Sequence, residues 1–139
     1  MLIRVDPGEL LREAGLDVDS SAPEESTLLW RKLCFLGPFA LLTTRAMEPI
    51  GPARESGPDL LDSLVTEAVA AATAAGARVD GAAVRARLGG MPATMRSSML
   101  KDAVAGAVLE LDAVAGPVLR AAPDGAPVTR GIVAEIAAR

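Results

Sequence analysis

Apolar residues recur three and four apart through most of this chain, and no stretch carries a strand pattern, so the spacing predicts helices from end to end. The clearest is Leu60 to Ala75. There Leu61, Leu64, Val65, Ala68, Val69, Ala72 and Ala75 share one face and Gly76 closes the element. Glu67 lies beside that stripe and is expected at the solvent edge. Further upstream, Leu29, Leu33 and Leu36 form a stripe on a helix starting near Ser26. Gly37-Pro38 should kink that helix, because proline donates no N–H and its ring crowds the carbonyl four residues back. Helix then resumes to Arg45, and Pro49, Gly51 and Pro52 end it, leaving Ala53 to Pro58 as a short polar loop.

Punctuation supports the same scheme. Asp6-Pro7-Gly8-Glu9 reads as the start of a short helix with Leu10, Leu11 and Ala14 on one face and Gly15 as its stop. Ser21 with Pro23 and Glu24 opens the helix that carries Lys32. Ser56-Gly57-Pro58-Asp59 opens the next, and Asp80 caps a helix from Gly81 to Leu88 that Gly89-Gly90 terminates. Leu109 to Ala121 is helical, with Pro117 kinking or dividing it. Thr129 is the expected cap of a last helix with Ile132, Val133 and Ile136 inside. The fold class is therefore all-α, with six or seven helices. The longest pair should pack antiparallel, with the serine turn near residue 97 over the Gly37-Pro38 kink.

At 139 residues this is one domain's worth of chain. The net charge of -4 comes without a basic run, and aromatics are only Trp30, Phe35 and Phe39, which argues against nucleic acid. With no histidine and a single cysteine, Cys34, neither an intrachain disulfide nor the usual zinc, haem or Ser-His-Asp arrangements are available. No stretch is long and apolar enough to span a membrane, and the N-terminus lacks a signal-peptide pattern, so a soluble cytoplasmic protein is expected. No Gly-rich nucleotide loop is present, and Gly89-Gly90 reads as a turn.

Two places concentrate chemistry. Thr94 to Asp102, with its sequel to Glu110, sets hydroxyls, a cation and carboxylates among Met, Leu, Val and Ala. Unpaired burial of such groups is costly, so either they cap a helix at Thr94, Ser97 or Ser98 and face water, or they form a site. Lys32 is flanked by Leu28 and Leu36 four residues away on either side. It either snorkels to water or is a partly desolvated amine that gives up its proton more readily.

These pieces resemble one family. Trp30-Arg31-Lys32-Leu33 after a short Gly-acidic linker, the Glu67 to Gly76 helix end, and above all Ser97-Ser98-Met99-Leu100-Lys101-Asp102, Gly106, Glu110-Leu111-Asp112 and Gly116 are similar to the C-terminal helical domain of ketopantoate reductase (2-dehydropantoate 2-reductase). The resemblance runs from about Gly15 to Ile136. It implies a compact helical domain of the 6-phosphogluconate-dehydrogenase C-terminal-like type over residues 21–139, with 1–20 a residual linker or short helix. It also implies reduction of a 2-keto acid with NADPH, the chemistry of pantothenate biosynthesis. Within it, Lys32 matches the catalytic lysine, Ser98 the substrate-binding serine, and Glu110 the glutamate that positions substrate and lysine.

The chain departs from the family pattern in three ways. Leu36 and Ala40 stand where the family carries asparagines one and two turns after the lysine. Pro117 interrupts a helix that the family continues. The family's nucleotide-binding domain, which holds the dinucleotide phosphates, has no counterpart in the sequence. The expectation is thus a substrate-binding half that is inactive alone, served by a separate nucleotide-binding domain and able to form a homodimer. The alternative is a non-catalytic helical interaction module or a degenerate gene fragment.

Overall fold

A computed structural model describes residues 25–139. The expected helix from Asp6, the Ser21 cap and the division at residue 20 lie outside the described residues. Those described form seven helices and no strand: α1 (Glu25–Ala46), α2 (Ile50–Ser56), α3 (Pro58–Ala74), α4 (Gly81–Gly89), α5 (Ser98–Val104), α6 (Leu111–Ala121) and α7 (Pro127–Ala137).

The centre of the domain is the second half of α1. Cys34, Phe35, Phe39, Leu41 and Leu42 are buried there, and α3 lies along it. Ala68, Ala71 and Ala72 keep the buried face of α3 shallow, which lets a neighbouring helix come close. Arg31 Nε donates to the Arg78 carbonyl at 3.1 Å, past the C-terminal end of α3. The short connection 47–57 meanwhile carries the chain from the end of α1 to the start of α3, so the two longest helices run antiparallel, as expected. Leu41, Leu42, Ile50, Leu64, Leu88 and Leu100 are the largest fully buried aliphatic side chains. Each contributes roughly 1.5–3 kcal/mol relative to exposure.

Residues 53–58 are not the expected loop, since α2 occupies Ile50–Ser56. No side chain caps it. Its free N–H groups are met from elsewhere in the chain, Ile50 N donating to the Met95 carbonyl and Gly51 N to the Ala93 carbonyl, both at 2.9 Å. Glycine is required at 51, because a Cβ there would sit 2.5 Å from the Ala93 Cβ. The α4 start follows its sequence signal, with Asp80 Oδ1 accepting from Ala82 N and Ala83 N. Its end is held by Arg54, whose Nη1 donates to the Leu88 and Met91 carbonyls. Pro117 lies inside an undivided α6.

Gly37 and Pro38 lie inside an undivided α1, and the serine turn does not cover them. Helix α6 does: a Cβ on Gly37 would come within 3.0 Å of the Val114 carbonyl oxygen. The serine turn meets α1 at Thr43 instead, through a 2.6 Å contact between Ser97 Oγ and Thr43 Oγ1.

Glu67 is not at the solvent edge, being only 7 % exposed. Its carboxylate accepts from Val128 N at 3.0 Å and from Thr129 N and Thr129 Oγ1, both at 2.7 Å. These are N–H groups of the first turn of α7, where Pro127 has none to offer, so a side chain on α3 caps a helix 61 and 62 residues away. Thr129 is therefore not the cap of α7. That position falls to Ala126, held at φ 47° and ψ 66° with its N–H on Asp124 Oδ1, and Thr129 lies buried inside the first turn. A carboxylate near a helix N-terminus is also favoured by the helix dipole.

Two substitutions separate bonded from unbonded buried polar groups. Glu67→Gln removes the charge and turns an amide NH2 towards a backbone donor, and should cost about 2 kcal/mol in urea unfolding. An unchanged midpoint would contradict the capping role. Thr44 Oγ1 is buried and has no partner among the described residues. Thr44→Val should therefore leave the midpoint unchanged or raise it by up to about 1 kcal/mol.

Candidate functional site

Lys32 sits in the first half of α1, where the exposed positions concentrate: Leu28 is 52 % exposed, Leu29 63 % and Leu36 37 %. Lys32 is itself exposed, the snorkelling arrangement rather than the desolvated one. The side chains four and eight residues on are an exposed Leu36 and a buried Ala40.

Ser98 is the first residue of α5 and is exposed. Of the three hydroxyls that could cap this helix, Ser97 does so, its Oγ accepting from Leu100 N at 3.0 Å. Ser97 is buried and pinned to Thr43, which leaves Ser98 facing outward. Glu110 occupies the N-cap position of α6 without bonding the helix through its side chain, and is exposed. Leu109 and Leu111 on either side of it line an open recess of about 500 Å³, together with Thr44 and Met47 at the end of α1, Ile136 and Arg139.

The structure thus sets Lys32 on the first half of α1, Ser98 beside its second half, and Glu110 at the start of the helix packed on Gly37. No hydrogen bond or ion pair joins any two of the three, and none ties their side chains to another described residue. Arg96, Lys101 and Asp102 beside Ser98 are likewise without a side-chain partner among the described residues, whereas several polar side chains elsewhere are paired. Arg85 pairs with Asp62 at 2.6 Å and donates to Thr66, Arg45 pairs with Glu135, and Glu67 and Thr129 are bonded to each other. Thr43, whose bond to Ser97 presents Ser98, went unnoticed in the sequence, which offered Ser97 only as one of three possible caps. The available signal was spacing: Thr43 lies seven residues after Leu36 and eleven after Lys32, which puts it on the same helical stripe.

Cys34 is no candidate nucleophile. It is fully buried, and burial pushes its thiol up from the ordinary value near 9 to about 11. Among the described residues, no group of His, Cys, Asp or Glu is placed to hold a metal ion, and no helix is long and apolar enough to cross a membrane.

Residues 26–137 match the family described as "Ketopantoate reductase PanE/ApbA C terminal". Searches of curated proteins and of solved structures returned no match.

The thiol yields a prediction in two parts. Iodoacetamide at pH 8 should leave Cys34 unmodified in the folded chain and modify it once the chain is unfolded. The folded state also holds its proton more tightly than the unfolded state. The thiol's contribution to stability is therefore complete below pH 9 and is lost as the pH rises towards 11. Cys34→Ala should remove that alkaline loss, and rapid labelling of the folded chain would contradict the burial.

Proposed function

The chain belongs to the ketopantoate reductase C-terminal family, and from that premise we propose that it is the substrate-binding half of an NADPH-dependent 2-keto acid oxidoreductase of the 2-dehydropantoate 2-reductase type, acting in pantothenate biosynthesis. The 6-phosphogluconate-dehydrogenase C-terminal-like arrangement of its helices is part of the same proposal. The observation that carries the reading is the match of residues 26–137 to that family, and the exposure of Lys32, Ser98 and Glu110, none with a side-chain partner among the described residues, is consistent with it. A flexible lysine without an internal partner is free to meet a substrate oxygen. A preorganised ammonium stabilises negative charge that develops on a carbonyl oxygen during reduction. Ser98 would hold the substrate's carboxylate or hydroxyl, and Glu110 would orient the substrate and the ammonium.

NADPH supplies the reducing equivalents in this family, but the described residues do not fit a dinucleotide. They contain no strand, and Gly89-Gly90 closes α4 rather than opening a helix, so its amides do not form the phosphate-binding start of one. The cofactor would come on a separate nucleotide-binding domain, and the role of this chain is to bind and orient the keto acid.

A second reading, a helical interaction or dimerisation module, is favoured by one observation. Leu28, Leu29 and Leu36 stand exposed on the first half of α1. On the enzymatic reading the nucleotide-binding domain docks there, beside Lys32. On the other reading a second copy does.

Ketopantoate-dependent NADPH oxidation separates the two. The chain alone should give none. Mixed with a nucleotide-binding domain of the ketopantoate reductase type, it should turn over, and Lys32→Ala should lower that rate by about 10² or more with the fold intact. Folded protein with no turnover in either case would overturn the enzymatic reading.

A further inference from the structure

We propose that Thr43 is a positioning residue for Ser98: its hydroxyl fixes the start of α5 on the helical stripe that carries Lys32, and so sets the distance between the two. The inference rests on the substrate-binding reading above. Its geometric part stands on the hydrogen bonds alone.

Thr43 Oγ1 lies 2.8 Å from the Phe39 carbonyl, 3.3 Å from the Ala40 carbonyl and 2.6 Å from Ser97 Oγ, and Ser97 Oγ lies 3.0 Å from Leu100 N. Thr43 is fully buried and Ser97 is 4 % exposed. The ends of this chain determine its direction. A backbone carbonyl only accepts and a backbone amide only donates. Thr43 therefore donates its single proton to the α1 backbone and accepts from Ser97. Ser97 donates to Thr43 and accepts from Leu100. Each proton has one place to go, and the first turn of α5 is tied to α1 through a single hydroxyl.

The stripe gives this tie its functional meaning. In a helix of 3.6 residues per turn, Lys32, Leu36 and Thr43 face one way. The hydroxyl chain meets α1 at the level of Phe39 and Ala40, about 11 Å along the axis from Lys32 at 1.5 Å per residue. On this proposal the 2-keto acid lies between the Lys32 ammonium and Ser98. The floor of this span is Leu36 and Ala40, neither of which offers a polar side chain. The two ends must therefore do the polar work, and their separation matters more than in a site lined with amides.

The test uses the complete chain and its Thr43→Val and Thr43→Ser variants. Amide exchange and chemical shifts at Ser98 and Leu100 report the geometry, and titration with 2-dehydropantoate reports the site. Thr43→Val should release Leu100 N to fast exchange, shift Ser98 and weaken keto-acid binding about tenfold, while Thr43→Ser restores all three. A purely structural role would lower the unfolding midpoint yet leave the affinity of the folded variant unchanged, and that result overturns the proposal. So do unaltered exchange and shifts at Ser98 and Leu100 in Thr43→Val. Should that variant not fold, Thr43→Ala removes the same hydroxyl and leaves the Ser97 cap in place, and the same outcomes apply. A wild-type chain that fails to bind the keto acid sinks the substrate reading and with it the role of Ser98 as a ligand. The exchange data separately decide whether Thr43 holds α5.

Discussion

From Cys34 to Thr44 nearly every side chain of α1 is buried, whereas before Cys34 most are exposed. This division of one 22-residue helix organises the domain. Helices α3, α5, α6 and α7 all pack against α1, and its core side chains lie in the second half. Packing on a rod buries backbone ends and polar side chains along with the apolar ones, and each of these must find a partner or cost free energy. The solution is two long-range links between helices, Thr43 with Ser97 and Glu67 with the first turn of α7. Glu67 on α3 directly satisfies the free start of α7, and Thr43 on α1 holds Ser97, the residue that caps α5.

The same division explains how a small domain presents chemistry. A lysine on the buried half of α1 would need a partner and would lose its freedom to reach a ligand. On the first half, Lys32 stays exposed and without a side-chain partner among the described residues. Ser98 gains outward presentation because its neighbour, Ser97, takes the capping duty and the buried position. The exposed leucines Leu28, Leu29 and Leu36 leave an apolar surface on the same half of α1 as Lys32.

Much of this was legible in the residues. Helix α3 followed from its three-and-four spacing, and α4 from Asp80, because in both cases cause and effect lie within one turn. The all-α class followed from the absence of any strand pattern, and the family from the ordered series Ser97 to Gly116. Features with distant causes stayed hidden. Helix α2 has no local cap, and carbonyls of residues 93 and 95 supply what it needs. Glu67 looked like a solvent-edge acid because its partner is Thr129, far along the chain, and Thr129 looked like a cap because its own capping group was out of sight. Ser97 and Thr43 are separated by 54 residues, so the serine turn was expected at Gly37-Pro38, where α6 lies instead. Lys32, Ser98 and Glu110 were named by resemblance, and their exposure came only from the packing.

The central claim is that α1 is a buried rod for half its length and a presenting surface for the other half. Residue-resolved native-state hydrogen exchange on the intact chain tests it most directly. The account predicts that amides from Phe39 to Thr44 that are hydrogen-bonded within α1 exchange only through global unfolding, while those from Leu29 to Leu33 exchange through local opening at far lower free energy. Equal protection along the whole helix would contradict it.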